Sequence, residues 1–319
     1  MGGIADFDVS FPSARADVRA MSASSGVPVA DLARITHCET FPVLADGEQA
    51  WELALAAARK VLDRTGVPPE RIRQVVFAGS GAWDRPFWSP AAKVAHALGI
   101  DGAHCFEVAN FCNAGMTAIR LLSTTGVLEE NTYALVLVGD RLSRMVDYRD
   151  PDSKALFNFG DAAAAVLLGG GPSRFRVVHS AMRTDGGWSD YYAGELAEGR
   201  VLIRRGEHRK GLADAYVRHF TALVDETLTA LGITLDDVSH FLVNHGDRDM
   251  HQRLLATLGI PAARSVFNYD RLAHMGGADT LIALKDLERG DRLRHGDLIM
   301  LATSAMGFSW GITTLEYLG

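Results

Sequence analysis

A chain of 319 residues that is 48% apolar and 22% charged is long enough for one or two domains with a buried core, and its balance is that of a soluble globular protein. A net charge of −7 argues against a nucleic-acid backbone as main partner, and no apolar run reaches the ~18 residues of a membrane helix. The start, MGGIADFDVSFPSARADVRA, has no basic segment followed by an apolar one, and three scattered cysteines (Cys38, Cys105, Cys112) fit a reducing compartment, so a cytoplasmic location is expected.

Short apolar runs alternate with longer helical patterns. Strands are predicted at 75–78, 134–139, 163–168, 176–180, 240–243, 298–303 and 312–317. Several are continuous Val/Leu/Ala runs, the pattern of strands covered on both faces. Helices are predicted at 48–65, 88–98, 115–125, 211–231, 248–258 and 277–288. The alternation indicates an α/β sandwich of parallel-rich sheets. A polar, Arg-rich stretch at 194–210 (GELAEGRVLIRRGEHRK) reads as an insertion or loop between two halves.

One stretch echoes another. FCNAGMTAIRLL (111–122) and AHMGGADTLIAL (273–284) align on Gly115 and Gly277, which sets Cys112 opposite His274. Each has a reactive residue three before a glycine, then an apolar helical stripe, then a strand-like run. Two such strand–turn–helix units facing each other would bring Cys112 and His274 together.

Cys112 precedes a predicted helix, and the positive end of a helix dipole favours thiolate, the nucleophilic form. The competing reading is a buried core cysteine. Cys38 and Cys105 have no comparable setting. His245 follows the apolar run FLVN, at the carboxyl end of a predicted strand, where open α/β sheets place their chemistry. It is a candidate general base or oxyanion donor, against the reading of a satisfied loop histidine. His274 is a candidate for the same site, against that of a turn residue capping a helix. His251, six residues after His245, reads as a surface position. GSGAWD at 79–84 lacks the last glycine of a dinucleotide fingerprint, and no zinc or Walker spacing occurs. The cluster Arg200, Arg204, Arg205, Arg209 and Lys210 reads as a solvated face, or as a receptor for a phosphopantetheine phosphate or an acidic carrier protein.

Four stretches carry a family resemblance: FEVANFCNAGMTAI, FNFGDAAAAVLLG, FLVNHG and GDLIMLATSAMGFSWGITTLEYL. In order and spacing they resemble the thiolase-fold condensing enzymes, specifically β-ketoacyl-ACP synthase III, from about Glu48 to Gly319. The resemblance implies a five-layered α/β/α/β/α fold of two similar halves, here 1–170 carrying the cysteine and 171–319 carrying the histidines, usually in a homodimer. It implies no permanently bound cofactor. The substrates would be acyl-CoA or the phosphopantetheine thioester of an acyl carrier protein. It also assigns Cys112 as acyl carrier, His245 as catalytic histidine, and the backbone N–H groups of Cys112 and Met306 as the oxyanion hole. Arg248, Arg204 and Arg205 are expected to help hold the thioester or its carrier.

The departures are specific. The family's asparagine stretch reads AHMGGAD, so His274 stands in its place, giving the Cys-His-His arrangement of the elongating synthases. The glycine triplet reads Ala305-Met306-Gly307, so Met306 is expected to narrow the acyl pocket. The HQAN stretch reads His245-Gly246-Asp247-Arg248. The N-terminal CoA-holding motif is not recognisable. These departures point to a specialised-metabolite or polyketide branch rather than the fatty-acid starter role. The leading expectation is decarboxylative condensation; the rivals are acyl transfer to an O, N or S acceptor, and a non-catalytic partner subunit.

Overall fold

Alternation along two apolar runs shows how the layers are built. The computed structural model describes residues 2–124, 128–197 and 199–319. Its strands are β1 (Gly3–Ser10), β2 (Ala14–Asp17), β3 (Thr40–Val43), β4 (Ile72–Gly79), β5 (His104–Ala109), β6 (Tyr133–Gly139), β7 (Ala163–Gly169), β8 (Phe175–Thr184), β9 (Tyr192–Ala197), β10 (Arg200–Arg205), β11 (Val238–Val243), β12 (Leu298–Ala305) and β13 (Ser309–Tyr317). Its helices are α1 (Val18–Ser25), α2 (Val29–Thr36), α3 (Ala50–Thr65), α4 (Pro90–Ala97), α5 (Ala114–Thr124), α6 (Leu212–Leu231), α7 (Arg248–Leu258) and α8 (Asp279–Arg289). Along β6, Ala134, Val136 and Val138 pack into a central core with Met116 and Ile119 of α5. Leu135 and Leu137 face the other way, against Ala54 and Ala58 of α3. Along β12, Ile299 and Leu301 join the central core with Leu281 of α8. Met300 and Ala302 face Phe220 and Leu223 of α6. Strands buried on both faces therefore separate outer helices from a central helical layer, which gives the five-layered α/β/α/β/α architecture.

The main sheet runs β11-β12-β13-β8-β1-β7-β6-β4-β5. The pairs β4–β5, β4–β6 and β11–β12 are parallel, but the other neighbours are antiparallel. The sheet is thus mixed rather than parallel-rich. β12 returns directly into β13 through the short turn at 306–308, and a connection of that length can only make an antiparallel pair.

Each strand predicted from an apolar run lies within an observed strand. Each predicted helix is present with its ends moved by a few residues, and Thr125 of the 115–125 prediction lies outside the described residues. The 194–210 stretch is a loop only over 206–210. Apart from Glu198, which lies outside the described residues, it contributes to the hairpin β9–β10, with Leu202 and Ile203 buried. Val201 and Ile203, on one face of β10, pack against the central core, and the flanking arginines hide the strand in the sequence.

The central strand β1 escapes an apolar-run reading because it carries Asp6 and Asp8, which are 2% and 5% exposed. Both are paired. Arg64 of α3 reaches Asp6 at 2.7 Å and Asp8 at 2.9 Å, and Arg174 reaches Asp6 at 3.0 Å. Lys285 of α8 lies 3.6 Å from Asp8. Buried charges persist only with such partners. No helix of the described residues is long and apolar enough to cross a membrane.

Candidate active site

The Cys112 turn is set by the chain's passage from β5 to α5. Phe111, with φ 49°, opens a 3₁₀ turn over Phe111–Asn113 that runs directly into α5. A non-glycine residue in the left-handed region is a strained choice that surrounding contacts must hold. Here they do. Asn113 is fully buried, donating to Ser309 Oγ at 3.3 Å and accepting from Thr303 Oγ1 at 2.5 Å. Asn110 bonds Thr117 at 2.8 Å and Ser309 at 3.2 Å. The turn is thereby fastened to β12 and β13 from the other half of the chain.

The partner histidine arrives from the matching turn. The His274 N–H donates to the Asn158 carbonyl at 2.7 Å, and the Gly160 N–H donates to the His274 carbonyl at 2.9 Å. The FNFG stretch thus acts as a short parallel bridge that holds His274. His274 Nε2 lies 3.2 Å from Cys112 Sγ. On its other side, His274 Nδ1 lies 2.6 Å from Asp279 Oδ2. Asp279 begins α8 and also accepts the Met275 N–H at 2.8 Å and the His245 N–H at 2.7 Å.

The electrostatics follow this line. Burial opposes charge on His274, but the Cys112 sulfur and the Asp279 carboxylate outweigh it and hold the imidazole well above its ordinary value. Burial likewise opposes charge on Asp279, but His274 and the hydrogen bonds made to the carboxylate keep it below the usual range. A carboxylate on Nδ1 fixes the tautomer that leaves Nε2 facing the sulfur.

Two cavities meet at Cys112. The larger, about 400 Å³, includes Asn158, Tyr216, Asn244, His251, His274 and Ser304 in its wall. The smaller, about 220 Å³, is lined largely by apolar groups including Leu142, Met145, Val201 and Ile203. Phe159, Tyr192 and Met306 border both. Met306 follows β12 and precedes Gly307, whose φ is 92°. A β-carbon on Gly307 would lie 3.1 Å from the Phe111 ring, so this turn packs directly on the Cys112 turn. Cys112 is the second residue of the 3₁₀ turn, within the first turn where N–H groups lack an intrahelical partner.

His245 is placed differently from expectation. Its ring is not part of either cavity wall. Its Nε2 accepts the Asn268 N–H at 3.2 Å, and the ring packs on Tyr269 with centroids 4.7 Å apart. Burial, only partly opposed by Asp279, pushes its pKa down. The chain turns sharply after β11, with the Gly246 N–H bonding the Asn244 carbonyl at 2.9 Å, and this turn brings Asn244 rather than His245 to the cavity. Asn244 in turn bonds Ser304 through both its amide groups. His251 is not at the surface: it is 1% exposed, stacked on Phe267 at 4.2 Å and bonded to Ser265 Oγ at 2.9 Å. Burial and the neighbouring His245 push its pKa down to about 3.

Of the arginines, Arg204 is tied to Asp150 at 2.8 Å and Glu195 at 3.2 Å, with Arg205 exposed beside it. Arg248 stands exposed at the head of α7, bordering a separate cavity of about 460 Å³. Cys38 and Cys105 lie in neither cavity wall, and burial raises both thiols, Cys38 to about 11. Asp279 is the residue that sequence reasoning missed. Its signal was a carboxylate five residues after a Gly-flanked histidine, at a helix start.

Residues 106–186 match the family profile of 3-oxoacyl-[acyl-carrier-protein] synthase III, and residues 228–317 match that of its C-terminal part. A 3-oxopimeloyl-[acyl-carrier-protein] synthase from Rhodothermus marinus is 30% identical over 293 residues, 88% of this chain and 84% of that protein. The chain belongs to the 3-oxoacyl-[acyl-carrier-protein] synthase III family. Among its other relatives, the β-ketoacyl-[acyl-carrier-protein] synthase III of Rhizorhabdus wittichii is 27% identical over 278 residues, 86% of each chain. The synthase III of Aquifex aeolicus superposes with a TM-score of 0.87 at 21% identity, covering 99% of this chain and 100% of that one. Cerulenin-bound OleA from Xanthomonas campestris superposes at 0.87 and 19% identity, covering 99% of this chain and 97% of that one. These superpositions confirm the thiolase-like fold. Within the synthase III family, the chain is an acyl-transferring enzyme of the condensing-enzyme type.

Proposed function

We propose that the chain carries an acyl group on Cys112 and hands it to an oxygen, nitrogen or sulfur nucleophile rather than to a decarboxylated carbon unit. The observation that carries this reading is the Cys112–His274–Asp279 line, with contacts of 3.2 Å and 2.6 Å. It is the order of nucleophile, base and orienting carboxylate used for acyl transfer.

The donor is an acyl-CoA or an acyl-carrier-protein thioester. His274 takes the Cys112 proton, the sulfur attacks the thioester carbonyl, and the departing thiolate receives that proton. The N–H groups of Cys112 and Met306 face the developing oxyanion. The acceptor then enters the larger cavity and gives its proton to His274 while its heteroatom attacks the acyl-Cys112 carbonyl; the Cys112 Sγ–carbonyl bond breaks, the acylated acceptor leaves, and the proton on His274 returns to the sulfur. Asp279 holds the imidazole and balances its charge in both steps. Arg248, exposed at the head of α7 next to Asp247 of the larger cavity's wall, guides the carrier or the CoA phosphates.

Decarboxylative condensation is the second reading, favoured by family membership. It asks for two donors on one enolate oxygen. His245, with Nε2 engaged by Asn268 and its ring outside the cavity walls, argues against that pair. The reading further takes 1–170 and 171–319 as the two thiolase-like halves, a cytoplasmic homodimer as the working form, and specialised-metabolite or polyketide biosynthesis as the setting. Altered motifs at His274, Met306 and Gly246 support that setting.

Supply of a malonyl thioester separates the readings. Intact-mass analysis should find the acyl group of a supplied donor thioester on Cys112 and, with a heteroatom acceptor present, the ester, amide or thioester of that acyl group, with the malonyl unit left unconsumed. Stoichiometric carbon dioxide release with a new C–C bond would overturn heteroatom transfer. Full activity of Cys112→Ala would overturn both.

A further inference from the structure

The smaller cavity beside Cys112 is apolar except near Ser80 and Asp140. Asp140 follows β6 directly, so the end of a central strand carries it to the cavity. It is only 6% exposed. Its Oδ1 accepts the Ser80 N–H at 2.7 Å, whereas its Oδ2 is buried with no hydrogen-bond partner among the described residues. The adjacent cation does not serve it, because Arg141 donates to the Asp84 carbonyl at 3.1 Å. Asp161, the nearby carboxylate, is satisfied by N–H groups of Leu44 and Ser143.

A buried acceptor without a partner is costly, and at a cavity wall a donor on a ligand can complete it. Burial pushes the Asp140 carboxyl up to about 6, so near neutrality it is still mostly ionised and an acceptor only. The rest of the wall, with Leu142, Met145, Val201 and Ile203, suits a short carbon chain.

We infer that Asp140 selects the acyl group, and that the acyl thioester loaded on Cys112 carries a hydrogen-bond donor on its chain, a hydroxyl or an ammonium. This rests on Cys112 being the acyl carrier. The step is thioester exchange: the Cys112 Sγ–carbonyl bond forms, the bond to the CoA sulfur breaks, and the Cys112 proton passes through His274 to that sulfur. Asp140 contributes binding only, by accepting the donor of the chain in place of water. A chain without that donor leaves Oδ2 stripped of water and unpaired, which penalises it.

The test is the rate of acylation of the full-length protein, followed by intact mass, with butyryl-CoA, 3-hydroxybutyryl-CoA and 3-aminobutyryl-CoA. One of the two donor-bearing chains should load at least about tenfold faster than butyryl, and which one does so identifies the donor. Asp140→Ala should slow that chain and speed butyryl, bringing the ratio toward one. Asp140→Asn keeps an acceptor for Ser80 and replaces Oδ2 by a donor, so it should abolish a preference for the ammonium while retaining part of one for the hydroxyl. Butyryl loading as fast as both others in the wild type would overturn the inference and leave the acyl-Cys112 reading standing. Equal slowing of all three by Asp140→Ala would also overturn it, as the sign of a purely structural role. Absence of any acyl adduct on Cys112 would remove the reading and the inference together.

Discussion

His274 Nδ1 and Asp279 Oδ2 stand 2.6 Å apart, five residues from each other across the start of α8, and both are almost completely buried. The carboxylate lies on the ring nitrogen opposite the one that meets Cys112, so it governs which nitrogen carries the proton. Asp279→Asn should therefore reduce acceptor-dependent turnover by about 10²- to 10⁴-fold. Because Asp279 raises the His274 pKa, the limb of the pH–rate profile that reports His274 should also move to lower pH. Unchanged turnover and an unshifted limb would show that the carboxylate does not orient the base.

Two histidines near the site are predicted to behave unequally. His274→Ala removes the base that touches Cys112 and should cost about 10²-fold or more in acyl transfer. His245→Asn removes a buried ring whose Nε2 accepts the Asn268 N–H, so its main effect should be on thermal stability. Turnover of a folded His245→Asn protein should stay within about tenfold of the wild type. A loss matching that of His274→Ala would place His245 in the chemistry.

Asp140 gives a stability signature. Its carboxyl is held near 6 in the folded chain by burial, above the ordinary 3.8. Below pH ~4 both states are protonated and the group contributes nothing. As pH rises through the 3.8–6 window the unfolded chain gives up its proton first, so stability falls; above 6 the loss is complete, at most about 3 kcal/mol. Asp140→Asn should thus be more stable than the wild type at pH 7 by about 1–3 kcal/mol, with the gain vanishing near pH 4. Denaturant melts at the two pH values check this. An equal difference at both would show that the carboxyl is not raised by folding.

Gly115 and Gly277 both meet Val138 of β6. A β-carbon on Gly115 would lie 2.8 Å from Val138 Cγ2, and one on Gly277 would lie 3.0 Å from Val138 Cγ1 and 3.4 Å from the Cys112 carbonyl oxygen. Gly277→Ala should destabilise the fold by about 1–3 kcal/mol through overpacking. Adding Val138→Ala should recover part of that loss, because the second substitution opens the space the first needs. Strictly additive losses in a double-mutant cycle would show that the two positions do not compete for one volume.

The sequence by itself determined which segments could be central strands and which two turns carry the reactive pair. Runs such as 134–139 and 163–168 are apolar without alternation, and only burial on both faces makes such runs tolerable. The echo of 111–122 in 273–284 set Cys112 opposite His274, and the glycines aligned to find it pack on the same valine. Other features stayed hidden because their residues are polar for reasons that lie far away in the chain. β1 looks like no strand until Arg64, Arg174 and Lys285 are beside Asp6 and Asp8. The 192–205 hairpin looks like an exposed insertion until Val201 and Ile203 are seen in the cavity wall.

Only the tertiary structure decided the direction of side chains where regular structure stops. Along β11, orientation follows the period of two, but the turn at Asn244–Gly246 breaks that period, and Asn244 rather than His245 reaches the cavity. Asp279 is near His274 in sequence, yet its two oxygens also collect N–H groups from Met275 and from His245, more than thirty residues away. Those bonds aim the carboxylate at Nδ1. Hydrogen-bond direction, unlike burial, depends on atoms that the local sequence does not contain.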